Sequence, residues 1–229
     1  MAKNETAESS ARGRFITFEG GEGSGKSTQI RLLAERLDAE KLRVVVTREP
    51  GGSPGAEIIR HLVLSGMGKL LGPEAETMLF AAARDDHVQT VITPALAQGM
   101  WVLCDRFADS TRAYQGKVGQ VDTRLLDGFE RVTIGDLKPD LTVILDLPVE
   151  TGITRASARR GADAPDRFES EQIDFHQKLR DAYREIALNE PQRCMLIDAA
   201  GTPEEVAEKV WAAVQGRLLP LHSNEASPA

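Results

Sequence analysis

The feature that most constrains the fold of this 229-residue chain is a glycine-rich stretch between residues 20 and 28. Gly20 is followed, after four residues, by Gly25, Lys26 and Ser27, which is the spacing of a phosphate-binding loop. Glycines permit the tight turn that points successive backbone N–H groups at phosphate oxygens. In such a loop the lysine reaches the outer phosphates and the serine hydroxyl binds Mg²⁺. We expect a nucleoside triphosphate to be bound by the whole stretch, which comprises Gly20, Gly21, Glu22, Gly23, Ser24, Gly25, Lys26, Ser27 and Thr28.

The residues on either side of the loop support this interpretation. Residues 14–19 are rich in β-formers, and beyond the loop Ile30, Leu33 and Leu37 recur at helical spacing. A helix that starts near Gly25 points its positive N-terminus at the phosphates. The dinucleotide-binding fingerprint is excluded, because Lys26 stands where its last glycine would be.

Apolar runs and helical patterns alternate along the rest of the chain. Further strands are predicted at 42–47, 101–104, 141–147 and 194–198, the first of them covered on both faces because it is continuously apolar. Helices are predicted at 56–64, 73–97, 122–134 and 169–189, with Met78, Leu79, Ala82, Val88 and Ile92 on one side of the second helix. This alternation predicts an α/β fold, a doubly wound five-stranded parallel sheet with helices on both faces. We expect a single domain over residues 13–217, with a disordered tail at 1–12 and a flexible tail at 218–229.

Composition excludes several kinds of partner. The formal charge of −7 argues against a broad nucleic-acid or membrane surface. No apolar run approaches the roughly 20 residues of a membrane span, and the polar first residues lack an apolar signal region. Cys104 and Cys194 lie in apolar runs, where cysteines usually act as small buried hydrophobes. We therefore expect a cytoplasmic protein with no nucleic-acid and no membrane partner.

The end of the third predicted strand separates the classes of phosphate-loop protein. A GTPase should carry an Asn-Lys-x-Asp guanine reader, and the sequence has none. A motor or regulatory ATPase usually ends this strand in Asp-Glu, whose glutamate polarises a water molecule. Here the strand ends in Asp105 and Arg106, a pair suited to holding the hydration of Mg²⁺ and a second phosphate. The pair favours phosphoryl transfer to an acceptor.

Two stretches resemble one known family. Residues 103–115, LCDRFADSTRAYQ, resemble the signature of thymidylate kinases, and residues 48–52, REPGG, resemble the acceptor-site loop of the same family. The likeness extends from about residue 13 to about residue 217. It implies a phosphate-loop kinase with a short mobile lid, at about 155–168 here, and commonly a homodimer. The implied reaction transfers the γ-phosphate of ATP to dTMP with Mg²⁺, giving dTDP and ADP in dTTP biosynthesis.

The resemblance also implies roles for individual residues at the acceptor site. Phe80 stacks on thymine, Arg84 contacts the base, and Tyr114 crowds the 2′ carbon of the sugar. The implied ligands of the acceptor phosphate are Arg48 and Arg106, and Glu22 is implied to lie near the 3′-hydroxyl of the sugar. Three polar residues are implied to complete the lining of the site, namely Ser110, Thr111 and Gln115.

The resemblance implies that arginines of the lid supply part of the positive charge that catalysis needs. Some family members carry an arginine in the phosphate loop, but this chain has Glu22 there, which resembles the bacterial arrangement with lid arginines. The candidates are Arg155, Arg159, Arg160 and Arg167. We expect Arg155 to bind ATP, and we expect catalysis to depend on Lys26, Arg106, Arg159 and Arg167. The expected metal ligands are Ser27 and Asp105.

Two alternatives remain open from the sequence. One is a kinase for another nucleoside monophosphate. The other is a non-catalytic nucleotide-binding switch with a degenerate acceptor pocket, against which the presence of Arg48 and Arg84 argues.

Overall fold

The computed structural model describes residues 12–160 and 167–219. Residues 1–11 and 220–229, which make up most of the two predicted tails, lie outside the described residues. So do lid residues 161–166 and the side chain of Arg160.

Five parallel strands form one sheet. They are β1 (Phe15–Glu19), β2 (Val44–Arg48), β3 (Trp101–Asp105), β4 (Leu141–Asp146) and β5 (Cys194–Asp198). The strand order is β2-β3-β1-β4-β5, so the strand that precedes the phosphate loop lies at the centre. Parallel neighbours place all their carboxyl ends at one edge of the sheet, which is where ligands bind in such folds.

Helices connect the strands. Along the chain they are α1 (Lys26–Ala39), α2 (Pro54–Leu64), α3 (Pro73–His87), α4 (Thr93–Ala97), α5 (Ala108–Thr111), α6 (Thr123–Thr133), α7 (Val149–Arg160), α8 (Ile173–Asn189) and α9 (Pro203–Leu218). A π-helical segment, Val88–Ile92, joins α3 to α4, so the predicted helix over 73–97 is continuous, and a second one, Arg112–Val118, follows α5. The predicted start of α8 at residue 169 is wrong, because 167–170 form turns before the helix.

Helices cover both faces of the sheet, as predicted. Ile16 and Leu103 pack against α1 and α9 on one face, whereas their neighbours Phe15 and Val102 pack against α4 and the π-helical segment before it on the other. This alternation follows from the two-residue period of a strand. Residues from all five strands contribute to the cluster on the α1–α9 face, and the single domain over residues 13–217 stays a prediction.

One prediction about burial is wrong, and one set of residues expected on a common side of a helix is divided. β2 is not covered on both faces, because it forms an edge of the sheet and Val46 is 55% exposed. The apolar residues expected on one side of the helix over 73–97 are divided, since Met78 and Ala82 are exposed whereas Val88 and Ile92 are buried. Besides Ala81 and Ala83, the buried residues of α3 are polar, namely Glu76, Thr77, Arg84 and His87. A helix buries polar side chains where they have partners, and Glu49 is the partner of both Arg84 and His87.

Candidate active site

The phosphate loop connects β1 to α1 and takes its shape from two glycines. Gly23 and Gly25 have φ angles of 66° and 94°, in the left-handed region that favours glycine. A Cβ on Gly23 would lie 2.0 Å from the carbonyl oxygen of Gly152, so the close approach of α7 also requires glycine there. Lys26 then begins α1, which places the N-terminus of that helix at the loop.

The Lys26 ammonium group lies against the loop itself. Its Nζ donates to the carbonyl oxygens of Gly20 and Gly21 at 3.1 and 3.0 Å. Burial lowers the pKa of Lys26 below its ordinary value, and the nearby charge of Arg106 lowers it further, whereas Glu22 and Asp105 act in the opposite direction. The positive charge is thus held where phosphate oxygens of a bound nucleotide would lie.

The two predicted metal ligands lie next to each other. The Ser27 hydroxyl donates to Asp105 Oδ2 at 2.8 Å. Among the described residues there is no group of three or more His, Cys, Asp or Glu side chains that could enclose a metal. Mg²⁺ does not need one, because it usually keeps several waters and takes only one or two protein ligands beside substrate phosphates. A hydroxyl and a carboxylate oxygen at the phosphate loop fit that ion.

A cavity of about 380 Å³ extends from the phosphate loop to α3. Every residue of the predicted dTMP set lines it, although these residues come from segments as distant as Glu22 and Gln115. Loop residues 22–28, Asp105 and Arg159 line it as well, whereas Gly20 and Gly21 line a smaller cavity behind the loop. The volume is within the usual range of small-molecule sites, about 300–1,000 Å³.

Arg84 is held rigidly at the end of this cavity. Its Nε donates to Glu49 Oε2 at 2.8 Å, and its Nη2 donates to Phe107 O at 3.1 Å and to Thr111 Oγ1 at 3.0 Å. The second oxygen of Glu49 lies 3.1 Å from Nδ1 of the buried His87. Sequence reasoning missed both Glu49 and His87, although the position of Glu49 inside the REPGG stretch was an available signal.

Arg106 and Glu22 form a charged pair between the loop and the acceptor end of the cavity. Arg106 Nη2 donates to Glu22 Oε1 at 2.6 Å, and the Tyr114 hydroxyl donates to the same oxygen at 3.1 Å. Burial favours the neutral form of Glu22. The charges of Arg106 and Lys26, with the Tyr114 hydrogen bond, outweigh burial and lower the pKa of Glu22 to about 2. Glu22 is therefore an anion at neutral pH.

The second arginine assigned to the acceptor phosphate, Arg48, lies at the end of β2. It is half-exposed and donates to Glu57 Oε1 at 2.8 Å. The described lid arginines lie in three different places. Arg159 lines the cavity, is 64% exposed and donates to Glu169 Oε1 at 3.4 Å.

Arg155 and Arg167 lie away from the cavity. Arg155 donates to the carbonyl oxygens of Ala199 and Ala200, just after β5, at 3.1 and 3.3 Å. Arg167 pairs with the buried Glu76 of α3, and its guanidinium carbon lies 4.7 Å from the centre of the Phe168 ring. Phe168 in turn contacts Tyr114 edge to face, with ring centres 5.1 Å apart.

Comparison with known proteins identifies the family. A family model described as thymidylate kinase matches residues 18–210. The chain belongs to the thymidylate kinase family. Its class, a phosphotransferase with the phosphate-loop fold, is thereby confirmed as the sequence predicted.

Individual members of the thymidylate kinase family are close in sequence and structure. The thymidylate kinase of Bradyrhizobium diazoefficiens is 69% identical over 99% of this chain and 100% of its own length. That of Nitrobacter winogradskyi is 72% identical over 96% of this chain and 95% of its own. The crystal structure of thymidylate kinase from Ehrlichia chaffeensis has a TM-score of 0.72 and 35% identity, covering 89% of this chain and 100% of that one.

The helices offer no candidate for a membrane span. Throughout residues 12–160 and 167–219, none combines the length and the apolar character that crossing a bilayer demands.

Proposed function

We propose that this chain transfers the γ-phosphate of ATP to dTMP and releases ADP and dTDP, a step of dTTP biosynthesis. One observation supports this most directly. The whole predicted dTMP set lines the same cavity as loop residues 22–28, so donor and acceptor phosphates would meet inside it. The acceptor end carries Phe80, Arg84 and Tyr114, which offer two aromatic rings and a fixed guanidinium for a pyrimidine base.

The donor phosphates are assigned to the phosphate loop. The loop N–H groups, the α1 N-terminus and Lys26 bind their oxygens, because all three present positive charge to the same space. Arg155, beside the loop after β5, is assigned to the nucleotide rather than to the transferred group. Mg²⁺, held by Ser27 and Asp105, would neutralise charge on the donor phosphates.

Little covalent chemistry is required of the protein. A phosphate oxygen of the acceptor attacks the γ-phosphorus in line, and no general base is needed, because the acceptor is already ionised near neutral pH. Lys26 and the loop N–H groups stabilise the charge on the transferred group. Arg106 and Arg48 hold the acceptor phosphate. Arg159 is assigned to the transition state in preference to Arg167, because only Arg159 lines the cavity.

The experiment is a coupled ADP-release assay with dTMP, dUMP, dGMP, CMP and AMP as acceptors. We expect dTMP to give the highest kcat/KM, and dUMP to be a poor but measurable substrate, because a single methyl group in an apolar pocket is worth only about 1–3 kcal/mol. A higher kcat/KM with another monophosphate would establish the alternative kinase. ATP binding without turnover of any acceptor would establish the non-catalytic switch.

We further propose a homodimer and a cytoplasmic location. α2 packs on α3, and α3 packs on α6, yet these helices leave Ile58, Met78 and Val132 exposed. Exposed large apolar side chains on helices that pack together are typical of an interface, and a second copy of the chain is the partner we assign. Cys104 and Cys194 are free and buried, which is compatible with a reducing compartment.

A further inference from the structure

Arg106 has a backbone conformation that its surroundings must maintain. It is the first residue after β3 and has a φ of 69°, in the left-handed region that residues other than glycine rarely adopt. Its guanidinium donates to the Gly20 carbonyl at 3.2 Å and to Glu22 at 2.6 Å. Such a conformation persists only where contacts with neighbouring groups hold it in place. Two buried residues outside the substrate cavity provide such contacts here.

The first is Glu19, the last residue of β1, whose side chain is fully buried. Its Oε1 accepts hydrogen bonds from the backbone N–H groups of Phe107 at 2.8 Å and Ser110 at 3.3 Å. Its Oε2 accepts from the Ser110 hydroxyl at 2.6 Å and from the Tyr183 hydroxyl at 3.0 Å. One carboxylate therefore fixes the chain immediately after Arg106.

The second is Tyr183, which α8 supplies from a distant part of the sequence. Its hydroxyl accepts from Arg106 Nη1 at 3.1 Å while it donates to Glu19. A single hydroxyl thus joins the buried carboxylate to the guanidinium. Neither Glu19 nor Tyr183 lines the cavity that holds the predicted substrate residues.

We propose, on the basis of the proposed function, that Glu19 and Tyr183 are positioning residues that hold Arg106 in the orientation that binds the acceptor phosphate. The Glu19 side chain fixes the tyrosine hydroxyl, and the oxygen of that hydroxyl accepts from the guanidinium without occupying the cavity. Glu22 also contacts Arg106, but Glu22 lines the cavity and is itself assigned to the acceptor.

The test compares ligands with and without a phosphate. Dissociation constants for dTMP and thymidine are measured by calorimetry on the full chain and on Tyr183→Phe, which removes one oxygen atom. We expect dTMP binding to weaken by about tenfold or more, as for a lost hydrogen bond to a charged group, and thymidine binding to change by less than about twofold. An equal loss for both ligands would mean that Tyr183 supports the pocket generally, and would overturn the proposal.

A double-mutant cycle tests whether the effect passes through Arg106. In an Arg106→Lys background, Tyr183→Phe should change dTMP binding by less than about twofold, because the guanidinium that it orients is gone. At pH 8, where Glu19 is ionised, Glu19→Gln should also reduce the advantage of dTMP over thymidine, since it removes the charge but keeps the shape. Fully additive effects in the cycle would contradict the proposal.

A matched control separates positioning from general loss of stability. Trp211→Phe changes another buried aromatic ring, on α9, that touches none of these groups. It should leave the dTMP-to-thymidine ratio unchanged even if its melting temperature falls as far as that of Tyr183→Phe. If the unmodified chain binds thymidine as tightly as dTMP, the role of Arg106 in the proposed function fails. A normal ratio in Tyr183→Phe would defeat only the positioning role.

Discussion

At the scale of single residues, the proposed phosphoryl transfer relies most directly on the Lys26 charge. We predict that Lys26→Ala lowers kcat by about 10²-fold or more, as the loss of one preorganised charge at a transition state usually does. The melting temperature should change little, because within the described part of the chain Nζ donates its hydrogen bonds to two carbonyls of its own loop. Kinetics and thermal unfolding of the same preparation check both expectations.

Lys117→Ala is the matched control for this lysine. Lys117 is exposed and pairs with Glu185 on the surface, so its loss should leave kcat unchanged. Near-normal turnover in a folded Lys26→Ala variant would contradict the assignment of residues 20–28 to the donor phosphates.

The buried carboxyl of Glu19 should make stability depend on pH. Burial, with the nearby charge of Asp109, raises the pKa of Glu19 to about 7, although Ser110 and Arg106 act in the opposite direction. A carboxyl with a raised pKa in the folded state adds stability that is fully present below its ordinary pKa of 4.5. That stability is lost as the pH rises through about 7. Ionised Glu19 therefore costs stability at pH 8.

We predict that Glu19→Gln becomes more stable relative to the unmodified chain between pH 4.5 and pH 8. The change in the free energy of unfolding should reach up to about 3 kcal/mol, because each pKa unit corresponds to about 1.4 kcal/mol. Urea unfolding of both proteins at a series of pH values measures it, with the exposed Glu185→Gln as control. A difference that does not vary with pH would show that Glu19 ionises in the folded state as it does in the unfolded chain.

These residues show how much of the site the sequence could predict. The phosphate loop is contiguous, so its spacing indicates its chemistry, whereas the roles of residues 103–115 follow from their resemblance to the thymidylate kinase signature. Glu19, Glu49 and Tyr183 could not be found in the same way. Each acts through a side chain that is distant in sequence, and only the order of the strands brings those partners together.

At the scale of elements, the sequence predicted where strands and helices lie better than which sides they bury. β2 is as apolar as a central strand, but β3 lies between β1 and β2, so β2 forms an edge of the sheet. α3 buries a polar side because Glu49 and Arg167 provide charged partners for Arg84 and Glu76. Both outcomes depend on contacts between elements, which the periodicity of one element does not encode.

The placement of the lid arginines predicts two different kinds of variant. Arg159→Ala should lower kcat more than it raises the KM for dTMP, because Arg159 lines the cavity and is the lid arginine that we assign to the transition state. Arg167→Ala, unlike Arg159→Ala, should lower the melting temperature, because it leaves the buried Glu76 without its cation. Steady-state kinetics and thermal unfolding of both variants distinguish them.

The same measurements on Arg31→Ala provide the control, because Arg31 makes only an exposed pair with Glu35 on α1. If Arg167→Ala lowers kcat and leaves the melting temperature unchanged, Arg167 serves the transition state rather than the fold. A change of less than about threefold in kcat for Arg159→Ala would mean that it is an ordinary solvated charge.

At the scale of the whole molecule, the exposed apolar side chains predict the oligomeric state. Ile58 and Val132 are 73% and 79% exposed, and they lie on helices that both pack on α3. A two-fold interface contains each residue twice, so one substitution would bury two charges in it. We predict that Ile58→Asp and Val132→Asp are monomers and that the unmodified chain is a dimer.

Light scattering coupled to gel filtration measures this at several protein concentrations. Leu188→Asp is the control, because Leu188 is 78% exposed on α8, outside the α2–α3–α6 face. It should remain a dimer, since the same change in polarity is made away from the interface. A monomeric mass for the unmodified chain would contradict the dimer. If Leu188→Asp is the only variant that is a monomer, the unmodified chain is still a dimer, but its interface lies at α8.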